Sequence, residues 1–103
     1  IYAGTKGAMQ ALTKNAAQAH MADRIRVNGI NLGWVATEGE QRMQAETLGK
    51  GADWQQSAAA ALPLGRLVTA GECARLVAFL LSDASAPMSG AVIDFEQKVT
   101  GAL

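Results

Sequence analysis

The sequence predicts an α/β fold, read as the carboxy-terminal part of a larger doubly wound parallel sheet. Three observations carry that prediction. A long proline-free helical stretch comes first, two short β-branched runs ("IRVNGINL" and "GAVIDF") lie far apart, and a further helical stretch falls between them. Strand, helix-bearing crossover and strand make a βαβ unit, right-handed if its strands are parallel. Two strands are too few for a whole sheet, which usually has about four to six, so the chain is expected to start within a domain.

The first helix is expected over residues 2–21. Its internal glycines, Gly4 and Gly7, lie near the start, and Ala8, Leu12, Ala16 and Ala19 follow one helical stripe, with Met9, Ala17 and Met21 on or beside it. Small side chains on several faces predict burial from more than one side. Asp23 and Arg24 break the pattern, and a buried strand follows over 25–31, bounded by Gly33, with Gly29 marking a close neighbour. The next thirty-five or so residues are rich in Gly, Ala and Gln; a structureless loop of that length is unusual. Two short helices are expected instead, over 38–48 and 53–62, hinged at Gly49 to Gly51 and ended by Leu62-Pro63. Thr69 is the expected cap of a helix over 70–82, with Glu72 completing a capping box and Ala74, Val77, Ala78 and Leu81 on the apolar face. The last strand is expected over 90–95, followed by a tail.

Composition narrows the function. Of 103 residues half are apolar and 17% are charged, with a formal net charge of zero, which argues against a disordered chain or a coat for nucleic acid. No apolar run approaches the ~20 residues of a membrane span, and no signal segment opens the chain. Cys73, alone, cannot form an internal disulfide. A cytoplasmic protein, with no nucleic-acid or membrane partner, is the expectation.

The most suggestive chemistry stands at the start. Tyr2 and Lys6 are four residues apart, so a helix sets them on one face with Cβ atoms about 5–6 Å apart. A free phenol has a pKa near ~10 and is a poor base at neutral pH; a neighbouring ammonium favours its ionised form. A tyrosine so tuned can give a proton to a carbonyl oxygen or take one from an alcohol. Lys6 can also hold ligand hydroxyls. The pair alone is a weak signal, since this spacing occurs by chance in many helices.

"YAGTKGAMQALTKNAAQAH", "IRVNGINLGWVATE", "PLGRLVTAGECARLVAFLLSD" and "SGAVIDF" together resemble the carboxy-terminal half of the short-chain dehydrogenase/reductase family, over nearly the whole chain and in family order. The resemblance implies a Rossmann-type domain, an NAD or NADP cofactor and a small alcohol or carbonyl substrate such as a sugar, a polyol or an oxoacyl group. It assigns the catalytic acid/base to Tyr2. To Lys6 it assigns the nicotinamide ribose and the lowering of the tyrosine pKa. Gly33, Trp34, Val35 and Thr37 fall on the turn that contacts the nicotinamide end, and Trp34, Met43 and Trp54 on the segment that covers the substrate. Leu32 stands where the family most often has proline. "IDFEQKVTGAL" replaces the usual glycine-rich ending, so that Asp94 to Gln97 shape either the substrate side or a subunit contact differently. The family's glycine-rich dinucleotide motif and catalytic serine, which precede the tyrosine, have no counterpart here, and Gly49-Lys50-Gly51 lacks the spacing to replace the motif. The 103 residues alone are therefore expected to show little or no turnover.

Other residues read as structural. His20 sits at a helix end, where a cation is favoured by the dipole, and no metal-ligand cluster surrounds it. Cys73 reads as a packed thiol, Glu38 and Glu40 as dipole compensation, and Arg66 as a holder of local backbone or a carboxylate. The competing function is a non-catalytic assembly module that docks with a separate amino-terminal half or a like subunit. Full-length relatives are commonly homodimers or tetramers, so association alone does not separate the two readings.

Overall fold

The computed structural model describes residues 2–33, 35–36 and 54–97. The chain divides into two bodies, Ile1–Asn31 with Val77–Asp94 and Leu32–Leu76 with Phe95–Leu103.

In the first body, helix α1 runs Tyr2–His20 and closes in a 3-10 turn, Met21–Asp23. Arg24 then adopts a left-handed backbone (φ 62°), its amide bonding Met21 O, while the Ile25 amide returns to His20 O. That reversal satisfies the last carbonyls of the helix and ends it. Along α1 the inward stripe is Lys6, Gln10, Thr13 and Ala17, half-buried or buried, whereas Met9 and Leu12 are each 63% exposed. The expected stripe of Ala8, Leu12, Ala16 and Ala19 is thus largely the outer face. Alanine is common on every side of this helix, so apolarity alone does not choose a face. A Cβ on Gly29 would meet Thr13 at 3.5 Å and Val92 at 3.8 Å, the close approach its glycine foretold.

Strand β1 spans Gly29–Leu32 and forms a two-stranded sheet with the last strand, Val92–Phe95, named β4 below. The Gly29 amide donates to Ala91 O and the Gly33 amide to Phe95 O; both chains advance by four residues between the two bonds, so the pairing is parallel. The expected strand over 25–31 is therefore shifted to 29–32. Residues 26–28 are held another way. Arg26 donates to Ser85 Oγ, Met88 O and Ser82 O, the Val27 amide to Ser89 Oγ, and the Asn28 side chain bridges Met88 O and the Ala91 amide. Side chains take the partners that a strand ladder would use. β4 likewise begins at 92 rather than 90, because Gly90 is left-handed (φ 78°) and its amide turns to Val27 O.

In the second body two-residue strands β2, Val35–Ala36, and β3, Val68–Thr69, pair in parallel with Val35 opposite Val68. Helix α2 spans Trp54–Ala60, inside the helix expected over 53–62; the one expected over 38–48 lies outside the described residues. Helix α3 spans Ala70–Leu81. Its start is the capping box foreseen: Glu72 N–H donates to Thr69 Oγ1 at 3.1 Å and Thr69 N–H to Glu72 Oε1 at 2.9 Å. On α3 the inward residues are Cys73, Leu76 and Leu80; Ala74, Val77, Ala78 and Leu81, expected inside, are exposed.

Candidate active site

α1 carries positions 2 and 6 one turn apart on uninterrupted helix. Lys6 is half-buried at the head of the inward stripe. Gly33 follows the carboxyl end of β1, the edge at which open α/β sheets bind ligands. Its amide donates to Phe95 O at 3.3 Å, and a Cβ there would stand 2.9 Å from Glu96 Cβ and 3.3 Å from Glu96 Cα. Contact with this chain's own Glu96 therefore requires glycine at 33. Val35 is half-buried in β2. Trp34, Thr37 and Met43 lie outside the described residues, and Trp54 opens α2. Gly33 and Val35 belong to the second body, and Tyr2 and Lys6 to the first.

Other polar residues make defined contacts, among them Asp94 and Gln97, whose role the sequence leaves between the substrate side and a subunit contact, and Asn31, to which it gives none. Asn31, buried in β1, donates to Asp94 Oδ1 at 2.8 Å across the sheet. Gln97 accepts from the Leu64 amide at 2.8 Å and donates to Arg66 O at 2.6 Å. The unusual "DFEQ" ending was the available signal for Asp94, Glu96 and Gln97; nothing in the sequence pointed to Asn31.

Arg66 behaves as expected, gripping both carboxylate oxygens of Glu72 at 2.8 and 2.9 Å and also donating to Leu67 O. Hydrogen bonding from Arg66, and then from the Thr69 amide, pulls the Glu72 pKa down to about 2, and the same bond raises that of Arg66. His20 Nδ1 lies 3.1 Å from Asp23 Oδ2 at the surface. Among the described residues no three His, Cys, Asp or Glu side chains could hold a metal ion. No helix among them is long and apolar enough to cross a membrane.

A two-stranded parallel sheet with helices places the chain in the α/β class, and comparison narrows it. Residues 1–97 match the family model described as enoyl-(acyl carrier protein) reductase. The chain belongs to the short-chain dehydrogenase/reductase family. It is 37% identical over 95 residues to an uncharacterized oxidoreductase of Methylorubrum extorquens, covering 91% of this chain and 36% of that protein. The L-sorbose reductase of Gluconobacter frateurii, solved with NADPH and L-sorbose, superposes with a TM-score of 0.83 at 30% identity, over 99% of this chain and 41% of the other. An NAD+-bound xylitol dehydrogenase gives 0.74 at 29% identity, over 94% and 41%. The chain spans about a third of the length of the curated relatives it matches.

Proposed function

We propose that this chain supplies the acid/base and nicotinamide-side residues of an NAD- or NADP-dependent oxidoreductase that interconverts an alcohol and a carbonyl compound, with a sugar, polyol or oxoacyl group as substrate. The observation that carries the reading is the Tyr2–Lys6 spacing on unbroken helix, in a chain matched by the family model over residues 1–97. The sorbose and xylitol enzymes among the similar structures support a polyhydroxylated substrate.

The residues fit a dinucleotide at the sheet edge: Gly33 sits just past the carboxyl end of β1, beside the equivalent end of β4. The cofactor, when bound, supplies the hydride acceptor or donor. In reduction Tyr2 gives its phenolic proton to the substrate oxygen as that oxygen becomes an alcohol; in oxidation the phenolate takes the proton back. Lys6, an ammonium one turn away, favours the phenolate and binds the ribose hydroxyls. The segment from Gly33 through Trp34, Val35 and Thr37 holds the nicotinamide end, and Met43 and Trp54 border the substrate. The test is NAD(P)H oxidation with a carbonyl substrate by the native protein and its Tyr2→Phe variant. A fall of roughly 10²–10⁴-fold is expected, the usual contribution of a positioned acid/base; equal rates would overturn the assignment.

The assembly reading keeps one observation in its favour, the apolar side chains exposed on α1 and on the last turn of α3, where Leu81 is 81% exposed. Contiguous apolar surface marks docking with another chain, here a separate amino-terminal half or a like subunit. Light scattering of a Met9→Lys/Leu12→Lys variant tests it: a smaller species than the parent is expected, and an unchanged size sinks the idea.

A further inference from the structure

We infer that Gln97 is a positioning residue for the substrate side of the site, tying the return limb that follows α2 to the carboxyl end of β4; this rests on the oxidoreductase reading above. The limb turns at Leu62 to Gly65, where the Gly65 amide donates to Leu62 O at 2.9 Å and Pro63 takes the second position. Proline suits that position because its φ is already set. A turn of this kind uses the amide of its fourth residue and leaves that of its third, here Leu64, pointing outward. Gln97 Oε1 accepts that spare N–H at 2.8 Å, and Gln97 Nε2 donates to Arg66 O at 2.6 Å. The assignment of the two amide atoms is forced, since a backbone N–H only donates and a carbonyl only accepts.

Gln97 lies two residues past the end of β4, so its side chain extends the strand's pairing to a segment that has no ladder of its own. Arg66, held from the other side by Glu72, completes the anchoring. The limb so fixed follows α2 and is held by Gln97 just beyond the carboxyl end of β4. In open α/β sheets the segments beyond such ends border the ligand. Gln97 therefore acts on substrate through the limb and not by touching the reacting atoms. A shorter or apolar side chain here leaves the Leu64 amide and the Arg66 carbonyl to water, and the limb free to shift.

The experiment compares the native protein with its Gln97→Ala and Gln97→Glu variants, by amide hydrogen exchange and by steady-state kinetics. In Gln97→Ala, exchange at Leu64 should quicken about tenfold, the weight of one hydrogen bond. The KM for the carbonyl substrate should rise about three- to tenfold with kcat and the cofactor KM within about twofold, the signature of lost ground-state positioning. Gln97→Glu keeps the acceptor for Leu64 but sets an oxygen against Arg66 O, so exchange at Leu64 should stay slow while the substrate KM still rises. Unchanged exchange in Gln97→Ala, or faster exchange with an unchanged substrate KM, overturns the positioning role alone. The native protein as its own source makes it, failing to turn over with either nicotinamide cofactor, overturns the oxidoreductase reading and this role with it; the 103 residues alone are expected to be silent.

Discussion

Two helical stretches, the opening of α3 and residues 2–8 of α1, differ in what their residues do for the helix. At the start of α3 the polar groups are answered locally: Thr69 and Glu72 cap each other, and both carboxylate oxygens of Glu72 take the guanidinium of Arg66. Residues 2–8 of α1 include Tyr2, Gly4, Lys6 and Gly7. Among the described residues a Cβ on Gly4 or Gly7 would meet nothing within 4 Å, and each glycine costs about 1 kcal/mol of helix stability against alanine. The start of α3 is optimised for making a helix. Gly4 and Gly7 run against local helix propensity, a departure of the kind that functional sites carry.

The contrast can be broken or sharpened by experiment. Its largest expected consequence is the Tyr2→Phe loss of activity described above, which should leave thermal unfolding unchanged. A parallel loss of stability would mean that Tyr2 serves packing, and the contrast would fail. Next in size, Thr69→Ala should lower stability by about 1 kcal/mol, the usual value of a lost N-cap, with kcat unaltered; urea denaturation measures the first and steady-state rates the second. Gly4→Ala should raise stability by up to about 1 kcal/mol. If activity falls while stability rises, the glycine is kept for the site.

The smallest effect is an acid titration. Glu72, with a folded pKa of about 2, lies below the usual carboxylate value near ~4.3. Its stabilisation is fully present above that ordinary value and is lost as the pH falls from there through the folded pKa. Helicity followed by circular dichroism should show α3 weakening in that window, and Glu72→Gln should flatten the dependence. The effect is small because an exposed pair is screened by solvent.

Much of this was legible in the residues. The capping box of Thr69 and Glu72 spans three positions, so its geometry follows from helix pitch once the helix exists. Arg66 finds Glu72 six residues on, still a local event. The Tyr2 and Lys6 spacing and the family resemblance needed no folded partner either. The first strand starts later than its residues predict: the β-branched side chains at 25 and 27 favour a ladder, but the groups that claim 26–28 come from Ser82 to Ala91, some sixty residues later. The inward face of α3 is not legible in its residues, since Cys73, Leu76 and Leu80 are no more apolar than the stripe beside them. The resemblance sets Gly33 on the turn at the nicotinamide end, whereas the contact it makes with Glu96 joins residues sixty-three positions apart.

The sequence by itself determined what short-range physics sets: where α1 and α3 run, how α3 starts, what Arg66 does, and that a tyrosine and a lysine stand one turn apart. Only the tertiary structure decided where the β1 ladder begins, which helix stripes turn inward, why residue 33 must be glycine and what Gln97 holds. A cap or a turn is chosen by bonds between neighbours a few residues apart. A strand edge or a helix face is chosen by whichever distant segment reaches it first with complementary donors, acceptors and volume, and that is a property of the folded chain.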